Sequence, residues 1–466
     1  MASLEIDQGI FREFSIRGKV EKELDERRVE QIGRAIATWF RQREGKKIVI
    51  GYDARLSSPG LHQALSKGLL ESGIDVVDIG FVPTPVHNFA TDFYGADGGV
   101  MVTASHNPPE YNGLKIRAVH TLFGDDLQEI YRIAVSGKFT SGTGMYRSEN
   151  VLPAYLEAVT NGLQLARSLT LVFDAGNGTT GPVVPALLRS LGCQVVELYC
   201  QPDGNFPHRS PDPTAPGATH DLEQEVVKQG ADLGLAFDGD GDRVILVDEK
   251  GNTLMGDTAL MLLARYLLQQ HGPIKVVYEV LCTQAVPDDI NAHGGQAIPA
   301  PSGYALVHNT MLDAGAVLGG ELSGHFFLLN DIFRFDDAIL AATRLLAMLA
   351  GQNQPLSALA DDLPHYFTSR EYRLPCPDEL KGTLVAEMDK AFSGSHTIER
   401  IDGVRVLFDD GWALIRQSNT QPVISLRFEA KTSLQNMQAI RDQVMGQLKQ
   451  KYLDHKLAWD DQAVKD

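Results

Sequence analysis

Cysteine is scarce: Cys193, Cys200, Cys282 and Cys376 are spread along 466 residues, with no CxxC pair among them. That spacing argues against a thiolate metal ribbon or a disulfide framework, and predicts reduced structural thiols in a cytoplasmic protein. Long apolar runs are missing too. No uncharged stretch reaches the ~18 residues of a membrane-spanning helix. The segment Met1-Ala-Ser-Leu-Glu-Ile-Asp7 lacks the basic stretch and apolar core of a signal peptide. Basic residues are outnumbered, 42 Lys and Arg against 60 Asp and Glu, giving a net charge of −18. A general nucleic-acid surface requires a basic face, so this balance argues against one. It still admits an anionic small molecule, because a few clustered Arg and Lys side chains reverse the field locally.

What is present is an ordinary globular composition, 43% hydrophobic and 22% charged, so packed cores are expected. The length exceeds one core and corresponds to roughly three or four domains of ~100–200 residues. Phe11–Gly18 alternates apolar and polar residues and predicts a strand. Val29, Ile32, Ile36 and Phe40 recur at helical spacing between Arg27 and Arg43. Lys47–Asp53 reads as a strand, Gly60–Gly73 as a helix and Val76–Ile79 as the next strand. This alternation predicts a mostly parallel sheet with helices on both faces. The rhythm restarts at Leu169–Asp174, and again at Ile274–Tyr278 after the helical run Thr258–Gln270. Beyond the polar stretch 351–362 it changes to short strands, Arg405–Phe408, Trp412–Arg416 and Ile424–Phe428, closed by an amphipathic helix from about Ser433 to Gln450. The expected organisation is three α/β domains at 1–148, 149–254 and 255–363, followed by an α+β domain at 364–466.

Four loops carry side chains suited to chemistry. Thr103-Ala104-Ser105-His106-Asn107-Pro108-Pro109 follows the apolar run Gly98–Val102, and its prolines stop the strand. Ser105 is thereby presented beside His106, with Lys115 further on, as a hydroxyl with a neighbouring base. The same residue types also form a plain turn, and the loop alone does not choose between the two. Asp238-Gly-Asp240-Gly-Asp242-Arg243 sets carboxylates at every other position between glycines, a pattern relieved only by solvent or a cation. Oxygen ligands select Mg²⁺, Ca²⁺ or Mn²⁺. A calcium EF-hand is disfavoured, because Arg243 occupies its required glycine and both flanks read as strands. Arg243 also points to an anion beside the cation. In Gly319-Gly-Glu321-Leu-Ser323-Gly-His325, Glu321 and Ser323 face one side when extended and suit adjacent sugar hydroxyls, with His325 as a proton shuttle. Arg416-Gln-Ser418-Asn419-Thr420-Gln-Pro422 offers one guanidinium and small donors for a phosphate, with Arg427 on the next strand. An ordinary hairpin turn accounts for it equally.

In this order and at these separations, the four loops resemble the α-D-phosphohexomutase family across the whole chain. The resemblance implies α/β architecture: three mixed α/β domains of related topology plus a C-terminal α+β domain, heart-shaped around a central cleft. It implies a phosphohexomutase that interconverts hexose 1-phosphate and 6-phosphate, mannose or glucose, through a phosphoserine and a hexose 1,6-bisphosphate. Ser105 would carry the phosphoryl group and, with Asp238, Asp240 and Asp242, hold Mg²⁺. Lys115 or His325 would move the proton, with His106 and Arg243 beside the transferred group. Arg17, Tyr304, Glu321, Ser323, His325, Arg416, Ser418, Asn419, Thr420 and Arg427 would contact substrate. Hexose 1,6-bisphosphate would act as activator. The partners implied are hexose phosphates, with no nucleic acid and no membrane, in a cytoplasmic monomer or small homo-oligomer. Gly-Glu-Leu-Ser-Gly-His is similar to the phosphomannomutase/phosphoglucomutase branch. The alternatives are a phosphoglucosamine mutase and a poorly active sugar-phosphate-binding regulatory paralogue. Departures from the family pattern fall at Phe14 and Ser15, which replace Tyr and Asp, and at Leu281, Tyr304 and His308. The segment Phe206–Asp212 also lacks the histidines that can follow Phe-Pro.

Overall fold

The computed structural model describes residues 5–418, 421–460 and 463–464. The chain divides into two compact units, Met1–Tyr266 with Val317–Ala360, and Leu267–Ala316 with Asp361–Asp466. Among the described residues no helix is long and apolar enough to cross a membrane.

The first unit contains two mixed sheets. One has six strands in the order Ile16–Lys19, Tyr111–Arg117, Gly98–Val102, Lys47–Tyr52, Asp75–Phe81, Tyr146–Ser148. The last four run parallel, Tyr111–Arg117 joins them antiparallel, and Ile16–Lys19 pairs antiparallel with Tyr111–Arg117. Helix Glu26–Arg41 covers this sheet because Val29, Ile32, Ile36 and Phe40 form one buried stripe. It starts at Asp25, whose side chain accepts from the Arg28 amide and so satisfies a first-turn donor. The strand expected over Phe11–Gly18 is only partly one. Gln8–Ile10 is a short 3-10 turn, and Phe11 bridges back to Ile16. The apolar alternation is buried by a tight reversal instead of an extended run.

The other sheet orders Thr253–Leu254, Val244–Asp248, Leu233–Phe237, Thr170–Asp174, Gln194–Leu198. Leu233–Phe237 and Val244–Asp248 form an antiparallel hairpin, so the acidic hexapeptide is a hairpin loop. It leaves the end of a strand that runs parallel to Thr170–Asp174. In open α/β sheets ligands bind at such carboxyl ends. Here the ends of the two sheets meet, with the Thr84 amide donating to the Asp240 carbonyl at 2.8 Å. Gly239 passes so close to Ser105 that a Cβ there would lie 2.7 Å from the Ser105 carbonyl oxygen. A second hairpin, Leu318–Gly320 with Phe326–Leu328, carries the Glu321–His325 loop.

In the second unit, Lys275–Glu279 and Gln296–Ala300 pair in parallel beside helices Ala285–Ala292 and Tyr304–Ala314. A separate antiparallel sheet orders Phe367–Thr368, Val423–Ala430, Gly411–Gln417, Val404–Phe408, Thr397–Glu399, with Tyr372–Pro375 also on Val423–Ala430. Helices Asp378–Phe392 and Leu434–Asp454 cover one face through Leu384, Met388, Val444 and Leu448, packed on Ile415, Leu426 and Phe428. The expected change from α/β to α+β is present.

Helix Ala338–Ala350 shows how a buried cap titrates. Asp337 accepts from the Leu340 amide at 2.8 Å and from the Tyr155 hydroxyl at 3.1 Å, with no exposure. Burial pushes this carboxyl up to about 7. A carboxyl raised in the fold favours the folded state while protonated, so the stability it adds is lost as pH climbs from about 4 toward 7. Thermal melts across that window should show Asp337→Asn losing less stability than the wild type. An unchanged slope would contradict the assignment.

Candidate active site

Ser105 is 2% exposed and has φ of +50°, a left-handed conformation that costs a non-glycine residue about 1–3 kcal/mol. Arg55, itself buried, supplies what holds it there. Its Nη2 donates to the carbonyls of Ser105 at 2.9 Å and Asn107 at 2.6 Å, and its Nη1 to those of Pro108 and Tyr111 at 2.7 and 2.9 Å. Asp53 receives the Arg55 Nε at 3.2 Å, and the Thr103 hydroxyl lies 2.8 Å from the same oxygen. Thr103 in turn accepts from the Ser105 amide at 2.8 Å. Arg17 reaches this loop as well, donating to Asn107 Oδ1 at 2.7 Å. Its Nε donates to Ser15, the residue that departs from the family's Asp, at 3.0 Å.

The Ser105 hydroxyl donates to Asp238 Oδ2 at 2.9 Å and lies 3.1 Å from His106 Nδ1. Asp238, Asp240 and Asp242 are all fully buried. Lys115 donates from Nζ to Asp240 at 2.7 Å and to Asp242, and the Thr84 hydroxyl donates to Asp240 at 2.7 Å. Arg243 donates its amide to Asp238 Oδ1 at 3.2 Å and hydrogen-bonds His106 through Nη2, which also lies 3.4 Å from Ser105 Oγ. Asp212 stands 3.7 Å from its Nη1. Burial, then the charges of Asp242 and Asp240, lift the Asp238 carboxyl well above its ordinary range. Burial and Asp240 raise Asp242 to about 6, whereas Lys115 and Thr84 outweigh burial and hold Asp240 low. The cluster is thus short of positive charge. Among the described residues Asp240 Oδ1 and Asp242 Oδ1 are buried without a hydrogen-bond partner, and one oxygen from each of the three aspartates lies within 4.8 Å of the others. That donor set fits a hard divalent cation.

On the second hairpin, Ser323 donates to Glu321 Oε2 at 3.2 Å, and the buried His325 places Nε2 3.9 Å from the same carboxylate. Its Nδ1 is 2.9 Å from Asp336 Oδ2 and 4.0 Å from Asp242 Oδ1. Burial opposes charge on this imidazole, but Asp242 and Asp336 raise its pKa overall. Asp242, His325 and Asp336 form a second buried group with metal-ligating atoms.

The second unit holds the remaining candidates. Arg416, 5% exposed, donates from Nε to Asp402 Oδ2 at 2.7 Å. Lys381 clasps the loop after it, donating to the Ser418 and Gln421 carbonyls at 2.6 and 3.1 Å, while Ser418 Oγ accepts from the Gln421 amide at 3.2 Å. Asn419 and Thr420 lie outside the described residues. Arg427 is buried and donates to the Leu281 carbonyl. Tyr304 opens helix Tyr304–Ala314, and His308 is buried one turn on.

Ser105, His106, Lys115, Arg243, the three aspartates, Glu321, Ser323, His325 and Arg17 therefore fall in one unit, and Tyr304, Arg416, Ser418 and Arg427 in the other. Sequence reasoning missed Asp53, Arg55, Thr84 and Thr103, and also Asp336, Lys381 and Asp402. For the first group a signal existed: Asp53 and Arg55 follow the parallel strand Lys47–Tyr52, and Thr84 the strand Asp75–Phe81.

Models of the phosphoglucomutase/phosphomannomutase family match four segments in order: α/β/α domain I at residues 8–141, domain II at 153–251, domain III at 255–367, and the C-terminal domain at 371–447. A phosphomannomutase/phosphoglucomutase of Pseudomonas putida is 38% identical over 445 residues, covering 95% of this chain and 96% of that protein. A phosphoglucomutase of Neisseria gonorrhoeae is 39% identical over 438 residues, covering 93% and 95%. Among solved structures, a phosphoglucomutase/phosphomannomutase family protein of Burkholderia thailandensis superimposes with a TM-score of 0.88 at 37% identity, covering 96% of this chain and 98% of that one. An N-acetylphosphoglucosamine mutase variant of Aspergillus fumigatus, solved with glucose 1,6-bisphosphate, shares the fold at 14% identity, with a TM-score of 0.60 and coverage of 98% and 97%.

Replacing Arg55 by Met would leave Asp53 and the carbonyls it serves buried without donors, and should destabilise the protein by about 3–5 kcal/mol in thermal unfolding. Arg55→Lys should recover only part of this, because one ammonium cannot reproduce the planar fork. Wild-type stability in the Met variant would show that the loop is held by other means.

Proposed function

The chain belongs to the phosphoglucomutase/phosphomannomutase family and is a phosphohexomutase, and we propose that Ser105 is its phosphoryl carrier. The observation that supports this most is the buried Ser105 hydroxyl on Asp238, with Arg243 reaching the same oxygen. Asp238, Asp240 and Asp242 would hold Mg²⁺, which when bound supplies positive charge at the transferred phosphoryl group. Positioning and charge neutralisation account for most of the acceleration of phosphoryl transfer, and Arg243 and Lys115 add fixed positive charge at the same place.

In the forward half-reaction the phosphoryl group of phosphoserine 105 passes to the free hydroxyl of a hexose phosphate. The P–Oγ bond breaks, the P–O bond to the sugar forms, the sugar hydroxyl loses its proton, and one proton returns to Oγ. His325 is the group suited to carrying it, because Asp336 fixes one ring nitrogen and leaves Nε2 on the side of Glu321. Lys115, tied to two aspartates, acts as ammonium, and Glu321 and Ser323 grip adjacent sugar hydroxyls. The hexose 1,6-bisphosphate so formed turns over and returns its other phosphoryl group to Ser105. The same bisphosphate, added from outside, primes an unphosphorylated enzyme. Arg416, Ser418 and the loop through Asn419 and Thr420 take the phosphate that is not transferred, with Arg427, Tyr304 and Arg17 as further substrate contacts.

The names of the relatives favour mannose and glucose phosphates. Side-by-side assays of mannose, glucose, glucosamine and N-acetylglucosamine 1-phosphates, with Mg²⁺ and glucose 1,6-bisphosphate, should give turnover of the first two above the amino sugars. Equal turnover of the amino sugars would overturn the substrate assignment. Chelation of the cation should lower kcat by at least ~10²-fold, reversibly on adding Mg²⁺ back. Full activity in chelator would remove the aspartates from the metal role.

A further inference from the structure

A carboxylate that no part of the proposed mechanism uses stands directly behind the arginine assigned to the non-transferred phosphate. Asp402 lies in the turn between strands Thr397–Glu399 and Val404–Phe408. Its Oδ2 accepts from Arg416 Nε at 2.7 Å and from the Ser302 amide at 3.0 Å. Ser302 also donates its hydroxyl to Glu279, at the end of strand Lys275–Glu279. It is followed by Gly303 and by Tyr304, the first residue of helix Tyr304–Ala314. One oxygen therefore joins the arginine to the segment that presents Tyr304. All of these residues belong to the same compact unit.

The turn is built to place that carboxylate. Gly403 has φ of +74°, and a Cβ there would lie 2.4 Å from the Ile415 carbonyl oxygen and 2.8 Å from the Arg416 Cα. Only glycine lets the turn press against the strand beside Arg416, and Val404 pairs with Ile415 in the adjoining register. The pair is enclosed, with side-chain exposure of 6% for Arg416 and 12% for Asp402. An arginine held through Nε has its long side chain ordered before ligand arrives, while its Nη groups keep the fork geometry that recognises phosphate. Ordering a flexible side chain in advance lowers the entropic cost of binding.

We infer that Asp402 is a positioning residue that fixes Arg416, and with it the Ser302–Tyr304 segment, for binding of the hexose phosphate. The inference rests on the reading of Arg416 as a phosphate ligand. It acts on binding and not on phosphoryl transfer, so its signature is a split between KM and kcat.

For glucose 1-phosphate, Asp402→Ala should raise KM by ~10-fold with kcat within ~3-fold, and raise the inhibition constant of inorganic phosphate in parallel. Asp402→Asn keeps an acceptor for Arg416 Nε and for the Ser302 amide, and should recover most of the loss. It also serves as the test should the Ala variant fold poorly, its KM then lying near wild type with Asp402→Glu above it. The double variant Asp402→Ala/Arg416→Ala should raise KM above that of Arg416→Ala by much less than the ~10-fold seen for Asp402→Ala alone, because Asp402 works mainly through Arg416 and only the Ser302–Tyr304 contribution remains. An unchanged KM in Asp402→Ala, or an effect that adds in full to that of Arg416→Ala, overturns the inference while leaving the phosphate assignment standing. An unchanged KM in Arg416→Ala overturns both.

Discussion

Three carboxylates buried within one hairpin loop set the terms for everything around them. Asp238, Asp240 and Asp242 have no exposure, and like charges this close and this far from water repel strongly enough that they cannot stand alone. Lys115 and Arg243 meet part of the demand, Thr84 and the Ser105 hydroxyl meet more, and two oxygens remain for a cation. The serine loop is therefore no independent feature. Its hydroxyl is part of the shell that solvates the acid loop, so the phosphoryl group proposed for Ser105 and the cation proposed for the aspartates would belong to one electrostatic unit.

Holding the serine in that shell has a structural cost, visible in its positive φ, and Arg55 is the offset. A single guanidinium donating to four carbonyls fixes the loop backbone without touching the Ser105 hydroxyl. Asp53 neutralises it, and Thr103 links that aspartate to the serine amide. The parallel strands Lys47–Tyr52 and Gly98–Val102 deliver all three residues to the same carboxyl end of the sheet. The same logic recurs in the second unit, where Lys381 clasps the loop carbonyls after Arg416 and Asp402 holds Arg416 itself.

What could be read from the sequence was what is local in the chain. The acidic hexapeptide, the Ser-His-Asn-Pro loop and the Glu-Leu-Ser-Gly-His loop are contiguous patterns, and the apolar periodicities of Glu26–Arg41 and Leu434–Asp454 are visible in the residues themselves. What could not be read is what depends on distant pairs. A lone aspartate and arginine after a strand are commonplace, so the place of Arg55 beyond the parallel strand Lys47–Tyr52 is a weak signal that gains meaning only when Ser105, Pro108 and Tyr111 converge on it. Asp336 and Asp402 are ordinary acids until His325 and Arg416 meet them. The reversal between Phe11 and Ile16 escaped for the opposite reason, because alternation marks burial of one face without telling a strand from a tight hairpin. The departure at Ser15 shows the remaining limit: a residue that breaks the family pattern accepts from Arg17, which only coordinates reveal.

The central claim is that Ser105 carries the phosphoryl group, and the intact mass of the purified protein tests it most directly. After incubation with glucose 1,6-bisphosphate and Mg²⁺, the wild type should contain a species heavier by one phosphoryl group. That species should be absent from Ser105→Ala, and peptide mapping should place it on residue 105. A wild type that stays unphosphorylated under these conditions, or a Ser105→Ala variant that gains the same mass, would contradict the account.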